Sequence, residues 1–167
     1  MIETTRLISR PLSLPELGLY IYDLPRFEAQ AGLVPSGHQH SSDLLWMVST
    51  ITEPALRAEP SLLPYYTIWI VADRASRQLV ADWGFKGPPS PEGSLEIGYG
   101  THPGQQGRGY MTETVGGILG WARQQPGIHQ VRAETELTNV ASQRVLERNQ
   151  FQVSAAKEGF IYWAFVF

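Results

Sequence analysis

The 167-residue chain contains no cysteine. That absence excludes a disulfide framework, a Cys-ligated zinc site and a thiol nucleophile. An excess of basic charge is also missing. Thirteen Lys plus Arg against 16 Asp plus Glu leave a net charge of −3, which gives no bulk reason to expect nucleic-acid binding. No apolar run approaches the roughly 18–20 residues that a membrane span needs. Glu3, Arg6 and Arg10 interrupt the N-terminus, so it does not read as a secretory signal. The expectation is a cytoplasmic protein with neither membrane nor nucleic-acid partners. Apolar surface, by contrast, is plentiful: 43% of residues are hydrophobic, among them five Trp, seven Tyr and six Phe. That is enough for a sizeable core without covalent staples, and the length suits one domain over residues 1–167.

Thr5 to Leu12 has the mixed apolar and Arg pattern of a first strand, ended by Pro11 and Pro15. From Leu14 to about Leu63 the pattern is poorly legible. Leu17–Tyr22 is compatible with a helix, Asp43 suits the N-cap of a helix over 43–48, and Gly32 to His40 reads as loop by its Gly and Pro content. Tyr66–Ala72 and Gln78–Phe85 then form a hairpin around the polar turn Asp73–Arg77, followed by a strand at Leu95–Tyr99. Met111, Val115, Ile118, Leu119 and Ala122 recur on one face at the 3.6 period, which predicts a helix from near Gly109 to Pro126–Gly127. A strand at Gln130–Thr135, a short helix at Asn139–Asn149 and strands at Phe151–Val153 and Phe160–Phe167 complete the chain. The last strand is apolar almost throughout, so cover on both faces is expected for it. The class is α+β, with a mixed sheet and two crossover helices flanking the strand near residue 132.

The chemistry concentrates in Glu96-Ile-Gly-Tyr-Gly-Thr-His-Pro-Gly-Gln-Gln-Gly-Arg-Gly-Tyr-Met-Thr-Glu113. A strand enters a turn with glycines at 104, 107 and 109, and the turn enters the amphipathic helix. Glycine lets the backbone turn tightly and approach a ligand with no Cβ in the way. The first amides of a helix lack intrahelical acceptors and carry the positive end of the dipole, so the terminus suits a phosphate or pyrophosphate. A P-loop needs Lys where Tyr110 stands, and a dinucleotide fingerprint from Gly98 needs Gly where Pro103 stands. A plain strand-to-helix turn without a ligand remains open on spacing alone.

Gln106-x-x-Gly109 within this context resembles the acetyl-CoA motif of the GNAT N-acetyltransferases, in the branch typified by the ribosomal-protein alanine acetyltransferases RimJ and RimL. Glu3-Thr-Thr-Arg-Leu-Ile-Ser-Arg-Pro-Leu12 resembles that family's opening strand, and Asn139-Val-Ala-Ser-Gln-Arg-Val-Leu-Glu-Arg-Asn-Gln-Phe151 its later helix. The resemblance implies the GNAT fold, a mostly antiparallel central sheet flanked by helices, and acetyl-CoA as acetyl donor with no metal. It places the cofactor on Thr101, Gln106, Gly107, Arg108, Gly109, Tyr110, Met111, Thr112, Asn139 and Ser142. The implied reaction is attack of a primary amine, a protein N-terminus or a small molecule, on the thioester. The chain departs from the pattern at Met111 (usually Gly or Ala), Gln150 (Gly) and Gly100 (bulky in this branch). It also has Leu146 where other GNAT enzymes carry a Tyr that protonates the thiolate.

Only a neutral amine attacks a thioester, so a base is needed. Glu96, on the strand before the turn, is the first candidate; a solvent-facing or ion-paired strand residue is the alternative. Glu134 is weaker, and its ordinary role would be as partner to Arg132 or Arg108. By resemblance to RimL, Ser142 is a candidate to hydrogen-bond the sulfur and help protonate the thiolate; it also suits a first helical turn on structural grounds alone. Asn139 reads equally as cofactor contact and N-cap. Arg108 and Arg144 suit phosphates, and Glu113 suits the helix dipole. His102 reads as structural, and His38-x-His40 has no evident third metal ligand in the sequence. A non-catalytic acetyl-CoA sensor and a phosphate-ligand domain unrelated to CoA are the competing functions. The amine's identity is not legible, nor is the oligomeric state, with which a homodimer is compatible.

Overall fold

A computed structural model describes residues 1–167. One eight-stranded sheet runs in the order β1 (Ile2–Glu3), β2 (Leu7–Pro11), β3 (Trp69–Asp73), β4 (Leu79–Phe85), β5 (Ser94–Thr101), β6 (Gln130–Glu136), β8 (Phe160–Val166), β7 (Gln152–Lys157). Every neighbouring pair is antiparallel except β5 and β6. That parallel pair needs a crossover, supplied by α6 (Tyr110–Ala122). Its ladder covers only Ser94–Ile97 against Gln130–Ala133. Beyond Ile97 strand β5 continues to Thr101, paired with β4 alone. The edge of β5 over Gly98–Thr101 is therefore left open on the β6 side.

Each face of the sheet has its own core. On one side α6 buries Met111, Val115, Ile118, Leu119 and Ala122, the face expected from the sequence, against Trp69, Trp83, Leu95 and Ile97. On the other, α1 (Leu14–Tyr22) and α2 (Leu24–Gln30) bury Leu17, Tyr20, Leu24 and Phe27 against Ile68, Ile70 and Leu79. Alternation along β3 and β4 makes both cores possible, since successive side chains point to opposite faces. Helix α7 (Val140–Arg148) is tied to α6 by Asn149, whose side-chain amide donates to Thr112 O (3.1 Å) and Val145 O (2.9 Å).

The legible elements form within a few residues of their expected bounds, and the differences have local causes. Helix α3 (Ser42–Met47) is capped two residues earlier than expected, because Ser41 rather than Asp43 is the N-cap and accepts from Leu44 N. It continues through a π-helical stretch, Val48–Thr52, into α4 (Glu53–Ala58). Tyr66 ends the short helix α5 (Leu63–Tyr66) instead of opening β3. Helix α6 stops at Ala122, before Pro126. Strand β8 is not covered on both faces: Trp163 alone is buried, and β7 at the sheet edge is exposed throughout. An apolar strand here sits in the sheet interior at half-burial, with a polar edge strand beside it.

The Gly32–His40 loop is fastened to the second core by aromatic rings. His40 Nε2 lies 2.7 Å from Tyr20 O, and the His38 ring stacks parallel on His102 with centroids 3.9 Å apart. His102 is buried against Asp82 and Tyr20. Burial, followed by the neighbouring His102 and His40, lowers the His38 pKa from 6.5 to about 4, against the opposing pull of Asp82.

Two outcomes are expected. Gln150 closes α7 with φ +65, and Phe151 N–Leu146 O and Gln150 N–Glu147 O bonds complete a Schellman turn. A Cβ is unfavourable at that φ, so Gln150→Gly should raise unfolding free energy by roughly 0.5–1 kcal/mol in urea titration. Because His38 binds its proton more weakly when folded, the unfolded chain protonates first as pH falls. Its contribution to stability is thus intact above pH 6.5 and lost progressively towards pH 4. His38→Asn should flatten that part of the melting-temperature profile.

Candidate active site

The turn between β5 and α6 follows from its glycines. Gly107 and Gly109 have φ +74 and +76, a region that side chains with Cβ disfavour. Gly109 also lies against Arg6, whose Nη2 would be 3.6 Å from an added Cβ. The connection between β1 and β2 locks the turn in place. Arg6 donates to Arg108 O (3.1 Å) and Glu113 Oε2 (2.7 Å) and covers the Tyr110 ring at 4.9 Å. Thr4 Oγ1 and the Arg6 amide donate to Glu113 Oε1 at 2.6 and 2.8 Å. Burial pushes the Glu113 carboxyl up, but these bonds and the Arg6 charge outweigh it and hold the group below its usual range.

None of the amides of residues 106–112 has an acceptor within the protein; the first bonded donor is Glu113 N, to Gly109 O at 3.1 Å. These donors border a groove of about 560 Å³, within the size of small-molecule sites. All the cofactor positions expected from the sequence line it: Thr101, Gln106, Gly107, Arg108, Gly109, Tyr110, Met111, Thr112, Asn139 and Ser142. The Met111 side chain is turned into the core, so its departure from the motif leaves the amide free. Asn139 is the N-cap of α7, accepting from Ser142 N at 3.1 Å, and borders the groove as well.

Sequence reasoning missed several wall residues. Arg148 joins Arg108 and Arg144, giving three guanidinium groups. Tyr99 fills the space where β5 and β6 part, and its hydroxyl donates to Ser142 O at 3.3 Å. Burial raises the Tyr99 phenol to about 12, against the Ser142 bond, so it stays protonated near neutrality. Leu146 is fully buried.

The two carboxylate candidates lie elsewhere. Glu96 shares a shallow surface pocket with Arg132 and is ion-paired to Lys86 at 2.6 Å. Glu134 stands opposite Tyr162 on β8 and forms an ion pair with neither Arg132 nor Arg108. His38, which had no third ligand in the sequence, does gain Asp82 and His102 as neighbours, with donor atoms within 4.8 Å of one another. A bound metal lies near the plane of each imidazole it accepts from, and two parallel stacked rings do not meet that condition in this arrangement.

A strand, a glycine turn, a helix start with free amides, and a second helix N-terminus bringing Asn and Ser beside it together suit a phosphate or diphosphate group. Comparison with known proteins identifies the family. Residues 6–152 match the model of the acetyltransferase (GNAT) domain family. The N-acetyltransferase YjdG of Bacillus subtilis, itself uncharacterised, is 23% identical over 99% of this chain and 98% of its own. A Salmonella typhimurium enzyme that modifies the N-terminal serine of ribosomal protein L7/L12 superposes with a TM-score of 0.66, at 16% identity over 98% and 96% of the two chains. The L7/L12 acetyltransferase RimL bound to coenzyme A gives 0.66 at 14% identity over 98% and 95%. No helix is long and apolar enough to cross a membrane. With a matching family model over most of its length, the chain belongs to the GNAT family of acetyl-CoA-dependent acetyltransferases.

Proposed function

We propose that this enzyme transfers the acetyl group of acetyl-CoA to a primary amine, a protein N-terminus or a small molecule, by direct attack without an acyl-enzyme. The observation that carries the reading is the row of unpaired amides at 106–112 opening into a groove with three arginines. Those amides would receive the diphosphate, and Arg108, Arg144 and Arg148 further phosphate charge. Asn139 keeps its amide NH₂ free towards the groove while its oxygen caps α7. The thiol arm would run along the open edge of β5, from Thr101 towards Tyr99.

In the reaction the amine lone pair attacks the thioester carbonyl, the C–S bond breaks, and the thiolate takes up a proton. Ser142 is the group proposed to hydrogen-bond the sulfur; its hydroxyl is free of protein partners and its backbone is pinned by Tyr99. A protein N-terminus with pKa near 7.8 costs roughly 3.5 kcal/mol less to deprotonate than a lysine-like amine near 10.4. That difference, and the ribosomal-protein acetyltransferases among the structural neighbours, favour an N-terminal or similarly weakly basic amine in the cytoplasm.

Acetyl-CoA at about 100 times its dissociation constant should raise the melting temperature by about 5–10 °C. Gly109→Ala, which strains the turn, should weaken that binding about tenfold or more; unchanged affinity would place the phosphates elsewhere. Ser142→Ala should lower kcat about tenfold or more with acetyl-CoA binding kept, and an unchanged kcat would remove Ser142 from the chemistry. Tight acetyl-CoA binding without transfer to any amine would instead mark a sensor.

A further inference from the structure

The groove accounts for the acetyl donor but leaves open what receives the amine. Along β5 the groove wall consists of Tyr99, Gly100 and Thr101. Glu96 lies four residues away, about 13 Å along the strand, and its carboxylate is held by Lys86. Asp82 is the direct cross-strand partner of Gly100, so the two residues share a face of the sheet. A Cβ added at Gly100 would stand 3.7 Å from Asp82 Oδ1.

The two oxygens of that carboxylate are in different states. Oδ2 accepts from the Tyr20 hydroxyl at 2.9 Å and lies 3.3 Å from His102 Nε2. Oδ1 has no protein partner, and the side chain keeps 18% of its surface exposed. His102 is itself fixed: it is 4% exposed and stacked under His38. Burial, then the Asp82 charge, push the Tyr20 phenol well above its usual range, so it remains a donor to Oδ2. An anion is thus anchored through one oxygen, while the other faces the space that any side chain at position 100 would fill.

Building on the acetyltransferase reading, we propose that Asp82 is the catalytic carboxylate for the acceptor: its Oδ1 docks the amine through the gap left by Gly100 and takes the proton that frees the nucleophile. An ammonium N–H bond breaks to Oδ1, and the nitrogen lone pair forms the C–N bond to the thioester carbonyl. The proton the nitrogen sheds as the amide forms goes to the departing sulfur when the C–S bond breaks. Asp82 then returns its proton to water. Tyr20 and His102 act through Oδ2 and are positioning residues. The chemical class selected is a cationic primary amine slender enough at the reacting nitrogen to pass Gly100.

The test uses the full chain with acetyl-CoA and three probes: a peptide with a free N-terminal serine, an N-blocked peptide carrying one lysine, and spermidine. Asp82→Asn keeps the shape but takes up no proton. It should lower kcat/KM for the best probe by about 10²–10⁴-fold, while the melting shift with acetyl-CoA stays at the wild-type value. Gly100→Leu, which fills the space before Oδ1, should raise the amine KM about tenfold or more. Activity of Asp82→Asn within about threefold of wild type, or its survival where Glu96→Gln abolishes transfer, overturns the assignment. So does an unchanged amine KM in Gly100→Leu. A wild-type protein that binds acetyl-CoA yet acetylates none of the probes or a wider amine panel would count against the transferase reading itself, a result distinct from an active wild type with an equally active Asp82→Asn.

Discussion

The site depends on backbone amides that the protein leaves unpaired at the start of α6. A buried helix terminus without acceptors is normally a cost, because each orphan N–H forfeits its bond to water. Here the terminus faces a groove, and its shape is fixed from outside the turn. Arg6 and Thr4 come from the far N-terminal end of the chain and converge on Glu113 in the first helical turn. The same Arg6 holds Arg108 O and covers Tyr110. Glu113 thus acts as an anchor as well as complementing the dipole. The glycines permit the conformation, and this clamp selects it.

The second requirement is the parting of β5 from β6. The pair is parallel, joined by a crossover helix, and its ladder ends after four residue pairs. Strand β6 is paired with β8 along its whole length, and beyond Ile97 strand β5 is paired with β4 alone. The open edge of β5 faces α7, which Asn149 holds against α6. Two helix N-termini and one unpaired strand edge therefore meet at the same place. A groove results without any loop having to be long or mobile. Because β5 also carries Gly100 opposite Asp82, the groove and a polar cluster on the opposite face lie back to back across a single strand.

Much of this was legible in the sequence because it rests on local rules. Periodicity set α6, β-branched and aromatic runs set β3 to β5, and the glycine turn with Gln106 marked the groove, whose expected residues all line it. The stretch from Leu14 to Leu63 was hard to read for a physical reason. Its helices are short, broken by prolines and a π-helical stretch, and held by tertiary burial against the sheet more than by their own propensity. Strand β8 was expected to be buried on both faces, because composition reports how apolar a strand is and not which neighbours it acquires.

The sequence alone therefore pointed to the fold family, through its motifs, and to the residues that line the groove, since those residues lie close together along the chain and follow from turn and helix geometry. Only the tertiary structure decided which carboxylate lies beside Gly100. Glu96 has the more suggestive sequence position, yet its side chain is tied to Lys86 in another pocket. Asp82, inconspicuous within a strand, is brought to Gly100 by antiparallel register and is held there by Tyr20 and His102. Cross-strand register joins residues far apart in the chain, and no local pattern of side chains encodes it.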